Sequence, residues 1–201
     1  MAEETFEYGN INVRVIREDR RTYRIDALAD GALAVKAPRS ASQADVTAVL
    51  EKNWPGIGKM RARKLEALNA AAADPIAPDR VRALADEALK VMPGKARFFA
   101  GKLGVTLGRI TIRNQTARWG SCSSKGNLSF NCLLMLTPEY VQDYVAAHEV
   151  CHRLHMDHSA AFWRDVEKIC PDWRRGRDYL KKYGNALVER MKAGYGSNED
   201  R

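Results

Sequence analysis

Ala147-His148-Glu149-Val150-Cys151-His152 decides how the rest of the chain is read. The chain has four histidines, His148, His152, His155 and His158, and all lie between positions 148 and 158, beside the one glutamate that an H-E-x-x-H site needs. On a helix, residues i and i+4 share a face, so His148 and His152 can put imidazole nitrogens on one zinc ion. Glu149 is turned to the side, where it can take a proton from a water at the metal without binding the metal itself. Thr137 is the expected N-cap, Pro138 suits the first helical position, and Glu139 complements the positive end of the helix dipole. Val141, Val145, His148 and His152 recur at i, i+4, i+7 and i+11, so the histidines continue an apolar, inward-facing stripe. A bare H-E-x-x-H pattern also arises by chance, and core histidines are common. The cap, the inward face and the confinement of every histidine to one place argue for a metal site.

Zinc in a hydrolase usually takes three protein ligands and leaves one position for water. His155 shares the helical face, but at ~1.5 Å rise per residue it sits roughly 7 Å along the axis from the midpoint of the first pair. His158 is better placed: if the helix ends near Met156 and Asp157 turns the chain, it can approach from another direction. Glu167, on the next helix, is the runner-up. His155 then reads as a rim residue.

With 201 residues the chain can bury a sizeable core, as one domain or as one domain with a smaller appendage. The acidic start lacks an apolar run, so no signal peptide is expected, and no stretch approaches the length of a membrane span. Cys122, Cys132, Cys151 and Cys170 form no C-x-x-C pair, and reduced thiols and a cytoplasmic location are the expectation. The formal charge of +8 favours an anionic partner without identifying one.

Along the chain, Ile11, Val13 and Val15, then Tyr23 and Ile25, then Leu33 and Val35 alternate with polar neighbours, with a turn at Asp30-Gly31; they predict a small antiparallel meander. A helix is expected from residue 44 to 52. Trp54-Pro55-Gly56-Ile57-Gly58-Lys59-Met60-Arg61-Ala62-Arg63-Lys64-Leu65 then resembles the helix-hairpin-helix motif of DNA-binding proteins, whose glycine hairpin offers backbone N–H groups to a phosphate. Gly56, Gly58, Lys59, Arg61 and Lys64 are the candidate nucleic-acid contacts. The plainer reading is a glycine turn with a solvated basic face. Residues 69 to 78 read as a connector. A helix follows from 79 to 103, interrupted near Pro93-Gly94, and strands follow at 105 to 113, 118 to 122 and 128 to 136. Past the histidines, Phe162, Val166 and Ile169 mark a short helix, and a last helix from 172 to 192 is expected to bury Trp173, Leu180, Tyr183, Leu187 and Met191.

Arg118-Trp119-Gly120-Ser121-Cys122-Ser123-Ser124-Lys125-Gly126-Asn127-Leu128-Ser129-Phe130-Asn131, then His148-Glu149-x-x-His152, His158-Ser159-x-x-Phe162-Trp163 and Cys170-Pro171-Asp172, together resemble the YgjP-like metallopeptidase family, relatives of the SprT and WLM zinc peptidases. The likeness is specific from about residue 104 to 183. It implies that His148, His152 and His158 bind zinc, one ion per chain, with Glu149 as general base. The family's usual Asn-Trp-Arg is Asn131-Cys132-Leu133 here, and Cys151 stands where the family has alanine.

The resemblance implies a zincin-like α+β fold, with a small mixed sheet over the H-E-x-x-H helix, preceded by the N-terminal β-meander and helices. The expected organisation is residues 1–75 as β-meander plus helical hairpin, 76–195 as the metallopeptidase domain and 196–201 as a frayed tail. A strand bordering the cleft, at 118 to 122 or 128 to 132, could pair with an extended peptide; Arg118, Trp119 and Gly120 are the candidate substrate contacts. The expected function is a zinc metalloendopeptidase acting on proteins or peptides, with DNA-associated proteins as a candidate class and no membrane partner. The alternative is a nucleic-acid-binding module with a vestigial or structural zinc site.

Overall fold

The computed structural model describes residues 3–195; the tail expected at 196–201 lies outside the described residues. The chain divides into two units, Met1–Ala70 and Ala71–Arg201.

The first unit holds four strands, β1 (Glu3–Tyr8), β2 (Ile11–Glu18), β3 (Arg24–Ala27) and β4 (Leu33–Pro38), in the order β1-β2-β4-β3. This corrects the meander: β4 inserts between β2 and β3, parallel to the first and antiparallel to the second. The reason lies in Ala32-Leu33-Ala34-Val35, every residue of which is buried. A strand apolar on both faces belongs inside a sheet, whereas β3, with Arg24 exposed, suits an edge. The Asp30-Gly31 turn forms as expected, with Gly31 at φ 82°.

One helix, α1 (Gln43–Ala73), covers this sheet and runs through Pro55-Gly56-Ile57-Gly58 without a break. Neither Gly56 nor Gly58 has positive φ. Proline inside a helix costs about 3 kcal/mol and each glycine about 1. The stripe formed by buried Val46, Leu50 and Ile57 with partly buried Met60 keeps one helical phase across that segment and sinks into the sheet's core. Burial of the flanking turns offsets the local preference for a turn.

In the second unit, α2 (Pro78–Leu103) is likewise continuous through Pro93-Gly94, correcting the expected interruption, and Gly104 closes it in the left-handed region at φ 71°. The strands are shorter than expected: β5 (Ile110–Arg113), β6 (Gly120–Cys122) and β7 (Leu128–Asn131). Their order is β5-β7-β6, with β7 parallel to β5 and antiparallel to β6. A 3-10 turn, Cys132–Leu136, replaces the far end of the last expected strand. Next come α3 (Glu139–Cys151), α4 (Ala160–Ile169), α5 (Trp173–Tyr179), one π turn (Leu180–Gly184) and α6 (Asn185–Gly194). Tyr183, expected to be buried, falls in the π turn and is exposed. A wider turn rotates the helix face, which the 3.6-residue period did not anticipate.

The core of this unit gathers Ala88, Met92 and Phe99 of α2, Leu128 and Phe130 of β7, Val145, Ala147 and Val150 of α3, Phe162 and Val166 of α4, and Trp173 of α5. The sheet and the helices α2, α4 and α5 thus enclose α3, the helix that carries the histidines.

Candidate metal centre

α3 departs from expectation at both ends. Pro138, not Thr137, is the N-cap, because the Thr137 hydroxyl donates back to the Leu134 carbonyl (2.7 Å) instead of accepting from the helix. At the other end the helix stops at Cys151, not near Met156, and His152 is its C-cap with φ −64° and ψ −8°. The early stop frees residues 153 to 159 to turn back, and that return brings His158 over the first two histidines. Ser159 then opens α4, its hydroxyl accepting from the Phe162 N–H.

One ring nitrogen from each of His148, His152 and His158 lies within 4.8 Å of the others, and the Nε2 atoms of His148 and His158 are 3.2 Å apart. Tetrahedral ligands at 2.0–2.1 Å from a zinc ion would be ~3.3 Å apart, which the His148–His158 pair matches. His152 Nδ1 donates to the His155 carbonyl (2.8 Å), which fixes the tautomer and leaves its Nε2 lone pair for a metal. The His155 ring is held by Asp165 of α4 (2.7 Å). Burial, then repulsion from His152 and His158, pushes the His148 pKa down to about 3, so its imidazole is neutral at physiological pH, the form that binds metal. His148 Nδ1 has no hydrogen-bond partner, and that ring is oriented by packing against Tyr144 and Phe162, with centroids 5.7 and 4.9 Å away. Phe162 also lies 4.7 Å from His152 and 4.9 Å from His158, a floor common to all three imidazoles. Trp163, stacked on Trp173 at 4.4 Å, walls one side.

Glu149 is only 5 % exposed and lies against β6. A Cβ on Gly120 would fall 2.6 Å from its Oε1, so only glycine lets the strand pass this close to the carboxyl. Burial pushes its pKa up to about 8, against the opposing pull of the Arg118 charge. A dication held by the neighbouring imidazoles would draw it down again. A carboxyl poised near neutral pH can both accept and return a proton.

Among the described residues β6 is an edge of its sheet, whereas β7 is paired on both sides; of the two candidate stretches only 118 to 122 leads into an edge strand. Asn131, 1 % exposed, pins the segment leading into β6. Its side-chain amide donates to the Gln115 (2.7 Å) and Arg118 (3.0 Å) carbonyls, and its backbone N–H to that of Trp119 (2.9 Å). Arg118 is thereby held at the mouth of the site, with Trp119 half-buried and Gly120 over Glu149.

Glu167, the runner-up ligand, instead pairs with Arg174 (2.7 Å). Cys151 is fully buried in the core, its thiol pushed up to about 12 by burial, and it is not among the converging side chains. The nucleic-acid candidates Gly56, Gly58, Lys59, Arg61 and Lys64 all lie inside α1. Backbone N–H groups in a helix interior bond to the preceding turn and are not free for a phosphate. Arg61 is spent on the Gly31 carbonyl (2.9 Å). The hairpin reading is therefore corrected to a continuous helix.

Sequence reasoning did not assign roles to Asp165, to the Phe162 floor, or to Gly120 as the residue that lets β6 touch Glu149. Gly120 alone left a signal, as a glycine inside a strand, which marks a close approach.

A model of the YgjP-like metallopeptidase domain matches residues 80–183, more than half of the chain and the whole of the metal centre. Comparison with curated proteins finds no match. A solved structure, the metallopeptidase zymogen of Pyrococcus abyssi abylysin, is 23% identical, with a TM-score of 0.43, over 50% of this chain and 99% of that one.

Proposed function

The chain belongs to the YgjP-like metallopeptidase family, and from that premise we propose that it is a zinc-dependent endopeptidase in which His148, His152 and His158 hold one zinc ion and Glu149 is the general base. The observation that carries this reading is the convergence of three imidazoles beside one buried carboxyl. A bound zinc ion supplies Lewis acidity toward the scissile carbonyl and lowers the pKa of a water to about 7. Glu149 accepts the proton of the attacking water and delivers it to the leaving amine. Gly120 and the Phe162 floor fix where the carboxyl and the imidazoles can lie. An extended substrate adds to the free edge of β6 by main-chain hydrogen bonds, with Arg118 and Trp119 at its flank.

Proteins bound to DNA are a candidate substrate class on the ground of the +8 charge alone. The alternative, a nucleic-acid module with a vestigial or structural metal, loses the hairpin on which it rested. A cytoplasmic location belongs to the same reading, since all four cysteines are unpaired.

The deciding experiment is Glu149→Gln. This variant keeps one zinc per chain and the wild-type fold but no longer hydrolyses an unstructured protein substrate, because an amide cannot serve as base at neutral pH. Chelator-sensitive proteolysis persisting in that variant would sink the mechanism.

A further inference from the structure

The second unit carries a cationic cleft that borders the proposed peptide path at Arg118 and β6 and whose other residues the peptidase chemistry does not use. Its floor is the face of the three-stranded sheet turned away from α3. Leu128 and Phe130 of β7 point into the core, and Ile110 and Ile112 of β5 pack against it. Because side chains alternate along a strand, Ser129 and Thr111 point the other way. Thr111, Ser129 and Ser121 are register partners across β5, β7 and β6, so their hydroxyls form one row. Arg109 and Arg113 flank Thr111 two residues to either side, on the same face. These five residues and Arg118 line a cleft of about 730 Å³ in which no carboxylate takes part.

Two features show that this face is not merely a solvated surface. Ser129 is 9 % exposed, and its hydroxyl is buried without a hydrogen-bond partner. Buried hydroxyls are nearly always partnered, so this one is poised for an acceptor supplied from outside. Among the described residues, Arg109 and Arg113 have no ion pair or hydrogen bond through their guanidinium groups. The Thr111 hydroxyl already donates to the Leu128 carbonyl (3.2 Å), but the guanidinium donors with the Ser129 hydroxyl outnumber what one carboxylate can accept and suit the several oxygens of a phosphate. Arg109 also lines a neighbouring groove of about 710 Å³, together with Lys90 and Arg97 of α2, again with no carboxylate. Two cationic clefts joined at one arginine fit a ligand carrying phosphates along its length.

We propose that the outer face of the β5-β7-β6 sheet binds a nucleic-acid strand through its phosphates, with Arg109 and Arg113 as the charged contacts and Ser129 as a buried hydrogen-bond donor. The site is distinct from α1, and Arg109, Arg113 and Ser129 take no part in peptide hydrolysis.

The test uses the full-length, zinc-loaded protein and a fluorescent oligothymidylate of ~16 nucleotides, the upper end of the length one groove occupies. Binding is measured by anisotropy across a salt series. The Arg109→Ala/Arg113→Ala pair weakens binding at least ~10-fold and makes the salt slope shallower by about 1.4, ~0.7 for each lost contact. Ser129→Ala removes no charge, so it weakens binding ~3-fold at an unchanged slope. A control pair on another surface, Arg177→Ala/Lys181→Ala, removes the same charge and leaves binding within ~2-fold of wild type. Zinc content and peptidase activity, read in parallel, stay at wild-type levels, so loss of strand binding cannot be confused with failure of the metal centre. Equal losses from both pairs, or an unchanged slope in the first, would overturn the site. So would polyglutamate competing as well as unlabelled oligonucleotide, which would make the ligand an acidic polypeptide. Inorganic phosphate binding in the absence of strand binding would reduce the cleft to a single-anion pocket and also refute the proposal.

Discussion

At the scale of single residues, the centre separates ligands from supports. His148→Ala and His152→Ala each abolish tight zinc binding, and His158→Ala weakens it far more than His155→Ala, because only the first three rings converge. Zinc titration against a competing chelator orders the four, and equal losses for His155 and His158 would overturn the assignment. Glu149 adds a pH signature in the metal-free protein. Its pKa rises from an ordinary 4.5 to about 8 on folding, so the folded state binds that proton more tightly than the unfolded chain. The resulting stability is complete below about pH 4.5 and is lost as pH rises toward 8. Glu149→Gln cannot lose it, so the chelated variant gains on chelated wild type with rising pH, by at least ~2 °C in Tm at pH 8. His148, shifted down to about 3, contributes stability above about pH 6.5 that falls away in acid. That effect is common to both proteins and cancels in the difference. A Tm difference independent of pH would show that Glu149 is not desolvated.

At the scale of elements, the site depends on how β6 and α4 meet α3. Gly120→Ala drives a methyl group into the Glu149 carboxyl. Displacing a base by ~1 Å costs on the order of 100-fold in rate, so kcat/KM falls steeply while zinc content holds. Zinc loss with kcat/KM per bound metal unchanged would refute that coupling. Asp165 acts at one remove, by holding the His155 ring whose carbonyl orients His152. Asp165→Ala weakens zinc binding ~10–100-fold, as removal of a ligand's support does elsewhere. The loss is seen as a raised zinc Kd, and restoration by Asp165→Asn would show that a hydrogen bond, not charge, is what the loop needs. Elements were also where local sequence signals misled. Pro55-Gly56-Ile57-Gly58 and Pro93-Gly94 each read as breaks, yet both sit inside single helices. In each case the flanking apolar stripe keeps its phase and is buried, and tertiary packing outweighs the local cost.

At the scale of the molecule, the three proposed ligands, Glu149 and the strand over it all belong to Ala71–Arg201, and the apolar core around them draws on no residue of Met1–Ala70. A truncation beginning at residue 71 is therefore expected to fold, bind one zinc and retain peptide hydrolysis. Circular dichroism, zinc analysis and a protease assay check this, and an unfolded truncation would show that the first unit is needed. Among the described residues no helix is long and apolar enough to cross a membrane.

The sequence by itself determined the helix that carries His148 and His152 and nominated Glu149 as the base, while the class of the fold came from the family resemblance. The helix and the nominated base rest on short-range regularities: an i, i+4 pair of histidines, a glutamate one residue on, and an apolar stripe that continues through them. It also narrowed the third ligand to His158 with Glu167 behind it. Only the tertiary structure decided the rest. It brought His158 over the cluster by ending α3 at Cys151, and it engaged Glu167 with Arg174 instead. It also placed β4 between β2 and β3, and closed β6 onto Glu149 at Gly120. These are contacts between residues far apart in the chain, set by which surfaces exclude water together, and no local period encodes them.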